Sequence, residues 1–346
     1  MAVSIPWHSS SNWQPTDVTQ FIDHVNSGAG TLIVRTDAGL AYLKALGNPD
    51  GPHALAKDLL GTHLAAMLGL PTFDYAVIEI TELDELPFFK GGNAEPGPAF
   101  VTRGEEGSVW GNDKRLLEKI DNPDVISGLV VVDTWLRNTD RYYLPKGRVN
   151  WDNVFFSKES TEGGKLSLRA MDFSHAIKYG GELTSDVSSI ANIRDEDVFG
   201  LFPEFRKKLS RDAIRHYASI LGGVSRSQIE DAVGLVPHQW HLDSPVRLAL
   251  ASYLLQRASF VAETIESRLF DPPQLTIDLS DGGESSIQLK AITASSSTAP
   301  ISLAARRLTL ALSYSYRNAG FCKPEWLPTT SVFVISSEPP GTMQNC

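Results

Sequence analysis

The hydrophobic pattern mixes extended and helical periods in the first hundred residues and is mainly helical beyond them, and that division limits the fold more than any other feature. Residues 28–46 hold two extended apolar segments joined by the turn-prone Thr36-Asp37-Ala38-Gly39, which predicts a hairpin. From Pro52 to Leu70, the residues Leu55, Leu59, Leu60, Leu64, Met67 and Leu68 recur at helical spacing and are closed by Gly69 and Pro71, which predicts an amphipathic helix. Tyr75 to Ile80 follows as a short buried strand, and hairpin, helix and strand together suit an α+β lobe. Farther on, helical patterns dominate: Leu116 to Ile120, Val125 to Leu136, and 197–270 throughout, punctuated by Pro203, Gly222-Gly223, Pro237 and Pro245. Val154-Phe155-Phe156 and Leu166 to Met171 read as a strand pair around a polar loop.

At 346 residues the chain is long enough for two such lobes, each with its own core. The expected division is 1–103 for the first lobe, 104–270 for the helical second lobe and 271–346 for a small appendage of unassigned role. The turn-rich Gly91 to Pro98 serves as the link between the lobes. In the appendage Leu275 to Leu279 alternates like a strand, and 294–300 is rich in Ser and Thr.

Charge and cysteine usage exclude several function classes. Lys and Arg number 31 against 41 Asp and Glu, a net charge of −10, which disfavours a broad phosphate-backbone surface, so no nucleic-acid partner is expected. Cys322 and Cys346 are too few for a disulfide scaffold, which suits a reducing cytoplasm. Met1 to His8 lacks a basic region followed by an apolar run, so no secretory signal is expected, and charges interrupt every long apolar run, so no membrane span is expected either.

The chemistry-bearing residues cluster between 133 and 176. Asp133-Thr134-Trp135-Leu136-Arg137-Asn138-Thr139-Asp140-Arg141 ends a helix in an acidic loop, Asn150 and Asn153 precede a strand, and Asp172-Phe173-Ser174-His175-Ala176 ends the next strand. Phosphoryl transfer needs such parts, because one carboxylate must orient the acceptor hydroxyl while an Asn and a second Asp hold Mg²⁺ against a triphosphate. Each residue alone has a plainer reading, a surface ion pair for Asp140-Arg141 or a turn for Asp172. Together they would be a costly set of polar groups for a simple core. In the first lobe Lys44 lies between Leu43 and Ala45 on the second strand of the hairpin, where a buried ammonium needs an anionic partner, and phosphate is one. Asp58, in the first turns of the next helix, is either that partner or a solvated helix residue. Ser27-Gly28-Ala29-Gly30 is either a phosphate cradle or a plain turn.

These residues resemble the HipA-like kinases, a family with the bilobal protein-kinase-like architecture that is related to the phosphatidylinositol kinases. The resemblance runs from about residue 25 to 270 and is strongest in Trp135 to Arg141 and in Asp172 to Ala176, with Leu68-Gly69-Leu70-Pro71 also similar. It implies an ATP- and Mg²⁺-dependent kinase acting on a Ser or Thr hydroxyl of a protein substrate. Lys44, paired with Asp58, would contact the phosphates under a loop at Gly28 and Gly30. Asp140 would be the catalytic carboxylate, with Asn138 and Arg141 beside it, and Asn153 and Asp172 would be the Mg²⁺ ligands. Phe100, Val101 and Thr102 would lie beside adenine. It also implies a possible toxin role with a cognate antitoxin as partner.

Three departures stand out. The interval from Asp140 to Asn153 is long and makes Asn150 a rival metal ligand. Ser174 replaces the Gly of the protein-kinase Asp-Phe-Gly, and Asp58 stands in place of a Glu. No metal ligand is lost, so an active enzyme is expected rather than a pseudokinase. The alternatives are a small-molecule or lipid kinase on the same fold, or a nucleotide-binding scaffold without transfer. His238 and His241 lack a third ligand and are assigned no zinc. Arg206-Lys207-Lys208 with Arg211 is a short basic patch, Trp110 and Trp151 are packing residues unless Trp151 lines a substrate entrance, and Ser108 and 295–298 are candidate autophosphorylation sites.

Overall fold

The computed structural model describes residues 12–25, 30–81, 84–159, 163–177 and 181–271. The chain divides into one unit from Met1 to Asp271 and a second from Pro272 to Cys346. The second unit, with its expected strand, its Ser/Thr stretch and both cysteines, lies outside the described residues, as does Gly28.

The first lobe is a five-stranded antiparallel sheet with one helix. Strands β1 (Val18–His24), β2 (Leu32–Thr36) and β3 (Gly39–Leu46) lead into α1 (Pro52–Met67), and β4 (Tyr75–Ile80) and β5 (Glu95–Arg103) complete the sheet in the order β1-β2-β3-β5-β4. The predicted hairpin is β2–β3, closed at Thr36 opposite Gly39. Strand alternation sorts its side chains. Leu43, Ala45 and Val101 enter a core with Leu32, Val34, Ile78 and Phe88, whereas Tyr42, Lys44, Phe100 and Thr102 face a cleft on the other side. The Gly/Pro-rich window 91–98 is the turn between β4 and β5 and the start of β5, not the link between lobes. The chain crosses to the second lobe after Arg103, where Gly104 N–H donates to the Leu40 carbonyl at 2.8 Å.

The second lobe comprises β6 (Gly107–Val109), α2 (Lys114–Glu118), α3 (Asp124–Leu136), a small hairpin β7 (Tyr142–Tyr143) and β8 (Arg148–Val149), β9 (Val154–Ser157) and β10 (Ser167–Ala170). It continues with α4 (Ile190–Ile193), α5 (Pro203–Arg206), α6 (Arg211–Gly222), α7 (Arg226–Gly234) and α8 (Ser244–Phe270). Thus 197–270 is not helical throughout. Residues 195–202 form an irregular segment in which Gly200 takes φ +71°, and a Cβ there would clash with the Asp133 carboxylate. The α3 helix is buried along almost its whole length, and its Trp135 Nε1–H donates to the Leu254 carbonyl of α8 at 2.9 Å. Arg257 of α8, fully buried, donates to the carbonyls of Thr134, Trp135, Asn192, Ile193 and Asp195, which satisfies the carbonyl end of α3 from behind.

Several smaller expectations are resolved by packing. Trp110 is buried and stacks on Phe205 at 5.1 Å, whereas Trp151 stays 36% exposed. Two residues of the basic patch are paired, Lys208 with Glu118 at 3.0 Å and Arg211 with Glu266 at 2.8 Å. His241 adopts a left-handed conformation, and its carbonyl faces His53 Nε2 at 3.2 Å. No helix among the described residues is long and apolar enough to cross a membrane.

One contact sets how the lobes meet. A Cβ on Gly61, midway along α1, would lie 2.2 Å from Phe173 Cβ, so only glycine lets the helix approach this closely. Gly61→Ala is expected to destabilise the fold by about 1–3 kcal/mol through overpacking, measured as a lowered denaturant midpoint at unchanged slope.

Candidate active site

A cleft of about 820 Å³ lies under the exposed side of β2, β3 and β5 and is floored by residues from the second lobe. Lys44 reaches into it from β3. Its ammonium lies 2.6 Å from Asp58 Oδ2 of α1 and 3.3 Å from Asp172 Oδ1, which follows β10. Burial disfavours the charged lysine, but the carboxylates of Asp172 and Asp58 outweigh it and hold its pKa above the ordinary lysine value. Burial raises the Asp58 carboxyl, with Lys44 opposing. Burial works the same way on Asp172, but there Lys44, a hydrogen bond from Ser174 and nearby His175 win and keep it ionised below the usual carboxylate range.

Two sequence departures find their physical explanation here. Asp58 is shorter than Glu, but α1 lies close enough for its carboxylate to serve both sides, accepting from Lys44 and, through Oδ1, from Phe173 N–H at 2.8 Å. Ser174, in place of glycine, donates its hydroxyl to Asp172 Oδ1 at 2.7 Å and holds the carboxylate. Asp172 itself takes φ +53°, a conformation few non-glycine residues adopt, and these contacts hold it there.

Asp140 projects into the same cleft with its side chain 15% exposed. Its Oδ2 accepts from Asn153 Nδ2 at 2.9 Å and from Asn150 Nδ2 at 3.4 Å, with His175 Nδ1 3.8 Å away. Among the described residues its Oδ1 has one neighbouring charge, the Arg148 guanidinium at 3.8 Å. Both candidate asparagines therefore reach the site. Asn153 is the nearer and is buried, while Asn150 also accepts from Asp152 N–H to cap the next turn.

The loop is braced from beneath by residues that do not face the cleft. Asn138 is fully buried, donates to Asp133 Oδ1 at 3.0 Å and accepts from Asp140 N–H at 3.3 Å. Arg141, expected among the catalytic residues, is not one. Its guanidinium is fully buried and spent on Asp133 Oδ2 at 2.7 Å, on the Asn153 carbonyl and on the Met171 carbonyl at 2.9 Å, so it positions the loop and cannot reach a substrate. Arg137, at the left-handed end of α3, binds Asp195 at 2.8 Å.

Two further assignments are corrected. Val101 lies on the core side of β5, because neighbouring strand residues point to opposite faces, and only Phe100 and Thr102 line the cleft. Gly30 does not line it either, since a Cβ there would meet Pro49 and Phe88 at 3.0 and 3.2 Å. The residues sequence reasoning passed over are Asp133, Gly61 and Arg148. An acid eight positions before a buried arginine was the available signal for Asp133; nothing in the spacing marks the other two.

The donors suit a hard divalent cation. Asn153 spends its amide nitrogen on Asp140, which leaves its oxygen, and Asp172 spends Oδ1 on Lys44 and Ser174, which leaves Oδ2. These are oxygen donors of the kind Mg²⁺ takes alongside phosphate.

A family model described as HipA-like kinase matches residues 20–270. The chain belongs to the HipA-like kinase family. Membership makes it a kinase-type phosphotransferase, and its α+β fold, a β-rich first lobe followed by a mainly helical one, is the one expected. Similar solved structures include the crystal structure of the Helicobacter pylori proinflammatory kinase CtkA, 12% identical, covering 74% of this chain and 96% of that one at a TM-score of 0.47. They also include the kinase domain of Mycobacterium tuberculosis PknI, 15% identical, covering 72% and 94% at a TM-score of 0.24. No curated protein matches the chain.

Two measurements check the electrostatics of this HipA-like kinase. Arg141→Met leaves Asp133 buried without its partner and is expected to cost about 3–5 kcal/mol of stability, read by denaturant unfolding. Lys57 of α1, 1% exposed, donates to the Gly181 carbonyl at 3.1 Å, and burial lowers its pKa from 10.5 to about 8, with Asp50 opposing. Between those values the folded chain has shed a proton that the unfolded chain still holds, so raising the pH through this window stabilises the native state by about 3 kcal/mol. Lys57→Met is expected to remove that rise, compared across pH 7.5 to 10.5.

Proposed function

We propose that the chain is an ATP- and Mg²⁺-dependent protein kinase that phosphorylates Ser or Thr hydroxyls. The observation that carries this reading is the convergence of Lys44, Asp140, Asn153 and Asp172 on one cleft from four separate stretches of chain. Phosphoryl transfer asks the protein mainly for positioning and for charge stabilisation, and each of these residues has a part in that. Lys44, kept charged by its carboxylate neighbours, binds phosphate oxygens. Phe100 and Thr102 on β5, with Phe155 below, bound the place for a base. The free oxygens of Asn153 and Asp172 hold Mg²⁺, which when bound neutralises charge developing on the phosphates. Asp140 accepts a hydrogen bond from the acceptor hydroxyl through Oδ1, aligns it for in-line attack and takes its proton late. Asn153 fixes the Asp140 carboxylate through Oδ2, and Asn138 and Arg141 fix the loop that carries it.

A protein acceptor suits this cleft, because Arg148 on its lining is 60% exposed and the hairpin that carries it is exposed at Leu144 and Val149. Small acceptors are ordinarily enclosed.

Asp140→Asn is expected to lower transfer to protein by about a hundredfold or more while nucleotide still binds. The measurement is incorporation of labelled phosphate from ATP with Mg²⁺ into the chain itself or a protein mixture. Equal rates for variant and parent would remove Asp140 from the chemistry, and nucleotide binding without any transfer would favour a scaffold.

A further inference from the structure

We infer that Arg148 is the acceptor-recognition residue of this kinase and selects protein segments with an acidic side chain next to the hydroxyl-bearing residue. The inference rests on the protein-kinase reading above.

The two oxygens of Asp140 face different surroundings. Oδ2 is occupied by Asn153 and Asn150, on the side of the candidate metal ligands, whereas Oδ1 is left for the acceptor, and the charge beside it is Arg148 at 3.8 Å. A group bound by Arg148 therefore lies next to the acceptor hydroxyl. The guanidinium is 60% exposed and makes no hydrogen bond among the described residues, so its donors are open to a partner arriving from solvent. Lys44, by contrast, is clamped between two carboxylates deep in the cleft.

The hairpin that carries this arginine is tied to the rest of its lobe. Arg148 sits on β8, paired with β7 in the small hairpin between Asp140 and Asn153. That hairpin is fastened to the irregular 195–202 segment: Tyr143 stacks on Phe199 at 4.6 Å and donates its hydroxyl to Asp197 at 2.6 Å, and Gly200 N–H donates to the Tyr142 carbonyl at 3.0 Å. A guanidinium with open donors beside Asp140 matches a carboxylate, which accepts two parallel hydrogen bonds from it. Asp152 lines the same cleft but makes no ion pair with Arg148 among the described residues, so Asp140 at 3.8 Å is the carboxylate beside it.

The test is a peptide series in which one serine is flanked on each side in turn by Asp, Ala or Lys, with kcat/KM measured for the parent and for Arg148→Glu. The parent is expected to favour Asp over Lys at one flanking position by about fivefold, the scale of an exposed ion pair, and Arg148→Glu is expected to reverse that order. ATP hydrolysis without peptide is measured alongside. An unchanged order in the variant overturns the inference. So does a peptide loss matched by an equal loss of hydrolysis, which would place Arg148 on the transferring phosphoryl group. A parent that phosphorylates no peptide overturns the protein-kinase reading and this inference with it, an outcome distinct from active transfer without charge preference.

Discussion

The contact between α1 and the segment after β10 is the constraint on which the site depends. Asp58 accepts from the ammonium of Lys44 in the first lobe and from the backbone of Phe173 in the second, so a single carboxylate fixes the distance between the lobes at the cleft. That arrangement works only if the helix comes close, and Gly61 against the Phe173 ring makes it possible. Packing here is a condition of the electrostatics. With α1 farther away, Lys44 would keep Asp172 alone as partner, and a buried ammonium with half its compensation would lose much of the advantage of being charged.

A second layer of the same logic lies under the loop that carries Asp140. Asp133 and Arg141 form an ion pair with no solvent exposure, an arrangement whose desolvation cost about cancels its attraction. Its contribution is positional. Arg141 joins the carbonyls of Asn153 and Met171, which bracket the asparagine and the residue before Asp172, while Asp133 holds Asn138 under Asp140. One buried guanidinium thereby ties together the backbone carrying the three groups assigned to catalysis and metal binding. The absent Cβ of Gly200 gives Asp133 its space.

What could be read from the sequence, and what could not, divides along the range of the interactions involved. The β2–β3 hairpin, α1, α3 and the β9–β10 pair follow from local period and turn residues, and the resemblance of the 133–176 cluster to a kinase family points to Lys44, Asp58, Asp140, Asn153 and Asp172, which the fold brings to one cleft. Arg141 was misassigned because an Asp-Arg dipeptide on a loop looks the same whether the arginine faces substrate or core, and its true partner is eight residues away on another turn. The resemblance places Phe100, Val101 and Thr102 beside adenine by position alone, whereas the pleat sends the middle residue to the opposite core. The strands β1, β6 and the β7–β8 pair went unread because they are exposed or only two or three residues long, and their pairing comes from neighbours rather than from their own hydrophobic pattern. The glycine at 61 carries no local signal at all; its reason is an aromatic ring more than a hundred residues later.

The charge balance of the cleft decides what must accompany a phosphate into it. Asp50, Asp58, Asp140, Asp152 and Asp172 all line it, against Lys44 and Arg148. A bare polyphosphate entering this surface meets more negative than positive charge, and Lys44, already compensated by Asp58 and Asp172, has little left to offset it. A nucleotide that brings its own divalent cation removes the conflict, because the carboxylates that repel the phosphates are the ones that attract the metal. The excess of acid that would make a poor anion site thus makes a good site for a metal-bound triphosphate. The Ser174 hydroxyl acts in the same balance: by helping to keep Asp172 ionised it preserves the carboxylate that anchors Lys44 and the negative charge that favours a cation over a bare anion.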